Sequence, residues 1–214
     1  MSDLKTNSNA TSNLKKQTGD YFDITGAYTL LLDKRDQKFR TNEGHRTYFS
    51  QSLPFISEDG ALKNSFEYKK YHKFADEMVG RISFYLQTIN SITDDDVRIS
   101  KRSFIPSNKL RGFEPGRIGP VDGNDHVGGN YSAAVNFATD IPFLFSNIQQ
   151  ADFKFFVDTA NVWGVDFSDT IDNSNKIRSS TGISIDWFTP IGPLSFSVAQ
   201  PITKLSSDKT ESFR

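Results

Sequence analysis

Few side chains in this sequence are spaced for chemistry. The most distinctive is an arginine set in a stretch that no regular element can cross, Leu110-Arg111-Gly112-Phe113 at the start of LRGFEPGRIGP. A guanidinium offers parallel N–H donors that can take both oxygens of one carboxylate, so Arg111 has the chemistry of a directional anchor. An arginine in a polar loop is nevertheless ordinarily solvated, and the stretch by itself does not say where the charge goes. His45, His72 and His126 share no ligand spacing and are expected to be solvated. Asp94-Asp95-Asp96 lacks the loop pattern of a calcium site and is expected to be an acidic surface loop. No nucleophile is placed with a base, so no catalytic residue, metal or cofactor is expected and the chain does not read as an enzyme. With no cysteine, disulfide frameworks and thiolate sites are excluded. The 25 basic and 26 acidic residues give a net charge of -1, which supplies no footprint for nucleic acid.

The elements that must position these groups are strands. Phe22, Ile24, Gly26, Tyr28, Leu30 and Leu32 alternate with Asp23, Thr25, Ala27, Thr29 and Asp33, giving one greasy face and one wet face. Similar alternation predicts eight strands, near Asp20–Asp33, His45–Phe55, Leu62–Lys73, Val79–Thr88, Asn130–Ile141, Asp152–Trp163, Ile177–Thr189 and Leu194–Thr203. In Leu62–Lys73 the run KKYHK blurs the parity. Thr189-Pro190-Ile191-Gly192-Pro193 reads as a tight turn, Gly164–Lys176 as a long polar loop, and residues 89–129 as a much longer connection. Residues 1–19 form a polar N-terminal segment with neither an apolar core nor a cleavage site of a secretory signal, which suggests a cytoplasmic protein or a piece of something longer. Hydrophobic residues make up only 36%, and no run approaches the roughly 18 to 20 residues of a membrane helix. The fold class is all-β. Alternation alone is compatible with a soluble β-sandwich and with an antiparallel transmembrane β-barrel; long loops on one side and short turns on the other would suit the barrel.

Five motifs add a resemblance. LRGF at Leu110–Phe113, IGP at Ile118–Pro120, VGGN at Val127–Asn130, FFVDTANVWG at Phe155–Gly164 and IRSSTGISIDWFTPIGPLSFSVAQPITK at Ile177–Lys204 resemble, in order and spacing, the C-terminal half of the barrel in the BamA family. That resemblance implies the last eight strands of a 16-stranded antiparallel barrel in the bacterial outer membrane, within a machine that folds and inserts other barrel proteins without ATP or cofactor. Its implied partners are unfolded outer-membrane proteins, outer-membrane lipid, and accessory assembly lipoproteins bound through parts absent here. A polypeptide-translocating relative, of the TamA or two-partner secretion type, is the alternative.

The resemblance also implies that residues 89–129 fold back inside the barrel, with Arg111 meeting acidic side chains of the inner wall. Asp158 lies on the polar parity of its strand and should face the lumen. Asn136 falls where a second carboxylate is common, able to accept a hydrogen bond but contributing no charge. Gly112 would allow close backbone approach, and Phe113 and Leu110 would pack. Gly119, Pro120, Gly128 and Gly129 would form the loop's turns. The chain stops at Ser212-Phe213-Arg214, where the family would continue into a terminal strand.

Overall fold

A computed structural model describes residues 2–76, 78–141, 151–171, 176–190 and 192–214. Eight strands form one antiparallel sheet in which sequence neighbours are spatial neighbours throughout. We number them β1 (Asp23–Asp33), β2 (Gly44–Ser57), β3 (Ala61–Ala75), β4 (Met78–Ser91), β5 (Tyr131–Asp140), β6 (Ala151–Trp163), β7 (Arg178–Thr189) and β8 (Gly192–Thr203). All eight predicted strands are present, with small differences at their ends. The first begins at Asp23 because Gly19–Tyr21 pairs instead with Ser2–Leu4. Leu62–Lys73 is a full strand despite its lysines: Lys69 turns inward to Glu67 at 2.6 Å, while Lys70 lies on the outer face opposite Ile82.

The sheet divides its side chains as a membrane wall does. Ile82, Phe84, Leu86, Val135, Phe137, Phe155, Ile183, Trp187, Leu194, Phe196 and Val198 stand exposed on one face. Ser83, Gln87, Ser132, Asn136, Asp158, Ser180, Ser184 and Ser197 are buried on the other. Such a distribution reverses that of a sandwich, whose greasy face is the covered one. The antiparallel pairing leaves β1 hydrogen-bonded only to β2 among the described residues, so the sheet is an open wall.

Among the described residues the sheet has three bulges; two carry aromatic rings, and the third leaves Ile202 extra opposite Ser179/Ser180. The register slips opposite Ile24/Thr25 and again between Lys73 and Ala75, leaving Phe55 and Phe74 as the extra residues. Each ring covers a glycine of the neighbouring strand, Phe55 over Gly26 and Phe74 over Gly80. Pro54, which has no N–H to contribute, sits beside the first bulge, where a missing ladder bond does least harm. The outer parity therefore passes from Phe55 to Ile56, both exposed.

The connections depart from the expectation of long loops on one side only. The longest, 92–130, shares its end of the sheet with the tight link 58–60, while residues 34–43 form a sizeable connection at the opposite end. Connection 34–43 is ordered by its own charges. Arg35 pairs with Asp33 at 2.7 Å, and Asp36 accepts from the backbone N–H groups of Asn42 and Glu43, which holds its carboxyl below the usual range. Arg40 then reaches across to Asp152 at 3.0 Å and to the Phe188 ring at 4.6 Å. Residues 172–175 of the predicted polar loop and Ile191 of the predicted tight turn lie outside the described residues.

Residues 92–130 turn into the concave side. Ile105, Leu110, Phe113 and Ile118 from this loop bury themselves against Ala134, Ala160 and Val162 of β5 and β6, with Tyr85 of β4 at the margin. The principal apolar core is therefore between loop and wall. At its base Arg98 and Lys101 meet Asp23 and Asp59 at 2.7 to 3.1 Å, and Arg98 lies 3.6 Å from the Tyr21 ring centroid, fastening the loop's first arm to the ends of β1 and β2.

Candidate functional site

Arg111 reaches the inner wall through a turn whose shape depends on Gly112. That residue has φ 86°, and a Cβ there would come within 3.1 Å of Ala199. A side chain would be strained by the backbone and crowded by β8 at once. The turn aims the guanidinium at β6. Arg111 Nε donates to Asp158 Oδ2 at 2.7 Å and Nη2 donates to Oδ1 at 2.8 Å, the two-pronged geometry that fits a planar fork to a carboxylate. The Arg111 backbone N–H adds a third bond to Oδ2 at 3.1 Å. Asp158 is 0% and Arg111 13% exposed at the side chain, so the carboxylate is held out of water while the guanidinium keeps a small exposed edge.

Asn136 lies directly across from Asp158 in the β5–β6 ladder. It is a donor to the site: Nδ2 donates to Asp158 Oδ1 at 2.8 Å and to the Lys109 carbonyl at 2.7 Å, while Oδ1 accepts from Ser83 at 3.3 Å. The expectation of an acceptor toward the arginine is thus corrected. A carboxylate at 136 would face the charge of Asp158, whereas the amide supplies a fourth donor to it and also holds the loop backbone.

Several contributors were not visible as such in the sequence. The Arg111 guanidinium lies 3.4 Å from the centroid of Phe156, a fully buried ring on the loop-facing side of β6, next to the polar positions Lys154 and Asp158. A large aromatic out of parity was the available signal. Ser184 accepts weakly from Nη1 at 3.4 Å. Lys109, next to the motif, reaches Glu67 on β3 at 2.6 Å and ties the loop to a second part of the wall. Gly182 leaves the space that Phe156 fills. A Cβ there would lie 2.0 Å from the Val198 carbonyl and 2.8 Å from the ring. Gly182→Ala is expected to cost about 1–3 kcal/mol by overpacking and to loosen the Arg111 seat, seen as earlier thermal unfolding together with faster proteolysis at residues 110–117.

The other predicted positions fall in the same loop. Leu110 and Phe113 are in its apolar core. Gly119 packs against Val162, and the buried Pro120 accepts from the Val127 N–H at 3.0 Å. Gly128 abuts Phe104, while Gly129 exchanges two backbone hydrogen bonds with Ser103 and lies against the Trp163 backbone. His126 is half-buried, its Nε2 3.1 Å from the Ser207 carbonyl, and burial holds its pKa down; full solvation was the wrong expectation for it. His72 lies 3.2 Å from Glu43. Asp94, Asp95 and Asp96 are exposed.

The chain's terminal segment completes the surroundings. Ser197 and Arg214 exchange backbone bonds at 2.7 and 3.0 Å, and Ala199 donates to Ser212 at 2.8 Å, so residues 212–214 run antiparallel beside β8. On its way there the segment bonds to the loop. Lys209 donates to the Arg117 carbonyl at 3.1 Å, Glu114 donates to Lys209 at 3.0 Å and Glu211 donates to Gly112 at 3.2 Å.

Comparison with known proteins agrees with this architecture. BamA of Haemophilus ducreyi, in a crystal structure lacking POTRA domains 1–3, matches 87% of this chain and 40% of its own with a TM-score of 0.80 at 24% identity. The outer membrane protein assembly factor BamA of Neorickettsia risticii is 25% identical over 210 residues, which is 96% of this chain and 28% of that protein. The same-named protein of Neisseria meningitidis serogroup B is 25% identical over 134 residues, 49% of this chain and 17% of its own length. The chain therefore spans less than half of the crystallised protein and under a third of the two curated relatives it matches. The model of the Omp85 superfamily domain matches residues 2–214, and with its apolar-out strands and inward arginine loop the chain belongs to the Omp85 superfamily.

Proposed function

We propose that this chain forms part of the wall of a bacterial outer-membrane barrel that folds and inserts other β-barrel proteins, pairing their strands at a lateral seam. The observation that carries the reading is the loop locked by Arg111 to Asp158 inside a wall whose opposite face is apolar. The similarity to proteins named as outer membrane protein assembly factors supports the same reading. The physics of the step is edge pairing. An unpaired strand edge in hydrocarbon leaves N–H and C=O groups that cost several kcal/mol apiece, so an incoming strand that pairs with them is strongly favoured. No covalent step is involved. The partners are unfolded outer-membrane proteins and outer-membrane lipid, with accessory lipoproteins engaged by other parts of the protein.

Pinned to Asp158 alone, the Arg111 loop would steady the wall opposite the seam. The hydrogen bonds from residues 112–117 to residues 209–211 support a closer role, beside the segment that pairs with the far edge of β8. Reconstitution tests the proposal. Vesicles holding the protein that carries this chain should fold a urea-unfolded barrel substrate faster than empty vesicles, read by its heat-modifiable migration. Passage of polypeptide without any gain in folding would favour a translocating transporter instead.

A further inference from the structure

Away from the Arg111 site lies a second buried charge pair. Arg178, at the loop-side start of β7, and Asp208, in the segment after β8, are both 0% exposed at their side chains. Arg178 Nε meets Asp208 Oδ2 at 3.0 Å and Nη2 meets Oδ1 at 3.0 Å. The remaining guanidinium nitrogen, Nη1, donates to Asn161 Oδ1 and to the Lys176 carbonyl, each at 2.8 Å. Asp208 also accepts from the Leu205 N–H at 2.7 Å, which shapes the turn leaving β8. Every nitrogen of this guanidinium has a partner, in a place where a lone charge would be very costly.

What the pair holds gives it a role. Immediately after Asp208 come Lys209 and Glu211, whose backbones bond to the loop at Arg117, Glu114 and Gly112, and then Ser212 to Arg214, which pair with β8. Arg214 closes the arrangement by donating to the Ser107 and Phe113 carbonyls at 3.1 and 3.4 Å. The segment is therefore bonded to the arginine loop on one stretch and to β8 on the next. We infer that Arg178 and Asp208 are positioning residues for the segment after β8, fixing where it begins to pair with β8 and coupling it to the seat of the Arg111 loop. The two charge pairs thus hold one body: β6 holds the loop through Asp158, and β7 holds the segment after β8 through Arg178. The inference rests on the assembly reading for its consequence, but its geometry can be measured separately.

Because the sequence has no cysteine, engineered pairs report single contacts. Val198 and Phe213 face each other between hydrogen-bonded positions, where side chains approach closely enough for a disulfide. In the protein carrying this chain, expressed in outer membranes, Val198→Cys with Phe213→Cys should cross-link efficiently. Adding Arg178→Ala or Asp208→Ala should lower the yield by about tenfold or more, given the cost of stranding one buried partner. Arg178→Lys, which keeps the charge without the planar fork, should give an intermediate yield. A control pair in the wall, Phe137→Cys with Val157→Cys, which are ladder partners of β5 and β6, should be unaffected. An unchanged Val198–Phe213 yield would overturn the inference, and so would loss of both pairs together, since that would make Arg178 a general folding residue. Lost cross-linking with unimpaired barrel assembly would leave the positioning role in place and count against the assembly reading.

Discussion

Arg111→Ala and Asp158→Ala should each unseat the loop of residues 92–130, and the double variant should be scarcely worse than either alone. The expectation follows from what each change leaves behind. Without Arg111, the carboxylate of Asp158 stays fully buried with the Asn136 amide as its remaining side-chain donor. Without Asp158, the guanidinium is left against Phe156 and Ser184 with no counter-charge in that direct contact. Stranding one member of a buried pair costs about 3–5 kcal/mol, and partners in direct contact are coupled by roughly 0.5–3 kcal/mol. Arg111→Lys should fall between, because a point charge cannot take both oxygens. Proteolysis at residues 110–117 measures the loop, and outer-membrane barrel assembly measures the consequence. Independent, additive losses would show that the two residues do not act as a pair.

A second large effect is expected from the chain studied by itself. Strand β1 has one unpaired edge among the described residues, and its outer side chains Ile24, Tyr28, Leu30 and Leu32 are exposed. Among the described residues, the far edge of β8 is engaged only near Ser197–Ala199, by residues 212–214. Two open edges flanked by apolar side chains favour pairing with another copy over a solitary sheet. In detergent or lipid nanodiscs the chain should therefore self-associate or aggregate, as read by native mass spectrometry. A stable monomer with β1 hydrogen-bonded to β8 would contradict this, since it would mean that eight strands close upon themselves.

Strand existence was legible because each strand has one face toward the loop and one face away from it, which writes a period of two into the sequence. Even Leu62–Lys73 obeyed that rule once Lys69 was paired inward and Lys70 turned outward. Parity failed at the bulges, where Phe55, Phe74 and Ile202 each add a residue that alternation cannot anticipate. The position of Arg111 against Asp158 came from motif resemblance joined to parity, two signals that converged on one carboxylate. Phe156 was hidden because an aromatic on a polar face reads as noise until a cation is found above it. Arg178 and Asp208 were hidden for another reason: Asp208 lies in an irregular segment without any period, so its partner on β7 could be found only by tertiary placement. The same holds for the backbone bonds from residues 209–211 to the loop, which carry no side-chain signature at all.

The most direct test of this account is an accessibility scan along β5 in membranes, with a nitroxide on a single cysteine placed in turn at residues 133 to 138. Ala133, Val135 and Phe137 should relax with lipid-dissolved oxygen, whereas Ala134, Asn136 and Ala138, under the loop, should be shielded from it. If the greasy positions were instead shielded from lipid and the polar ones lay open to a water-soluble relaxant, the wall would be facing the other way and the buried Arg111 seat could not exist.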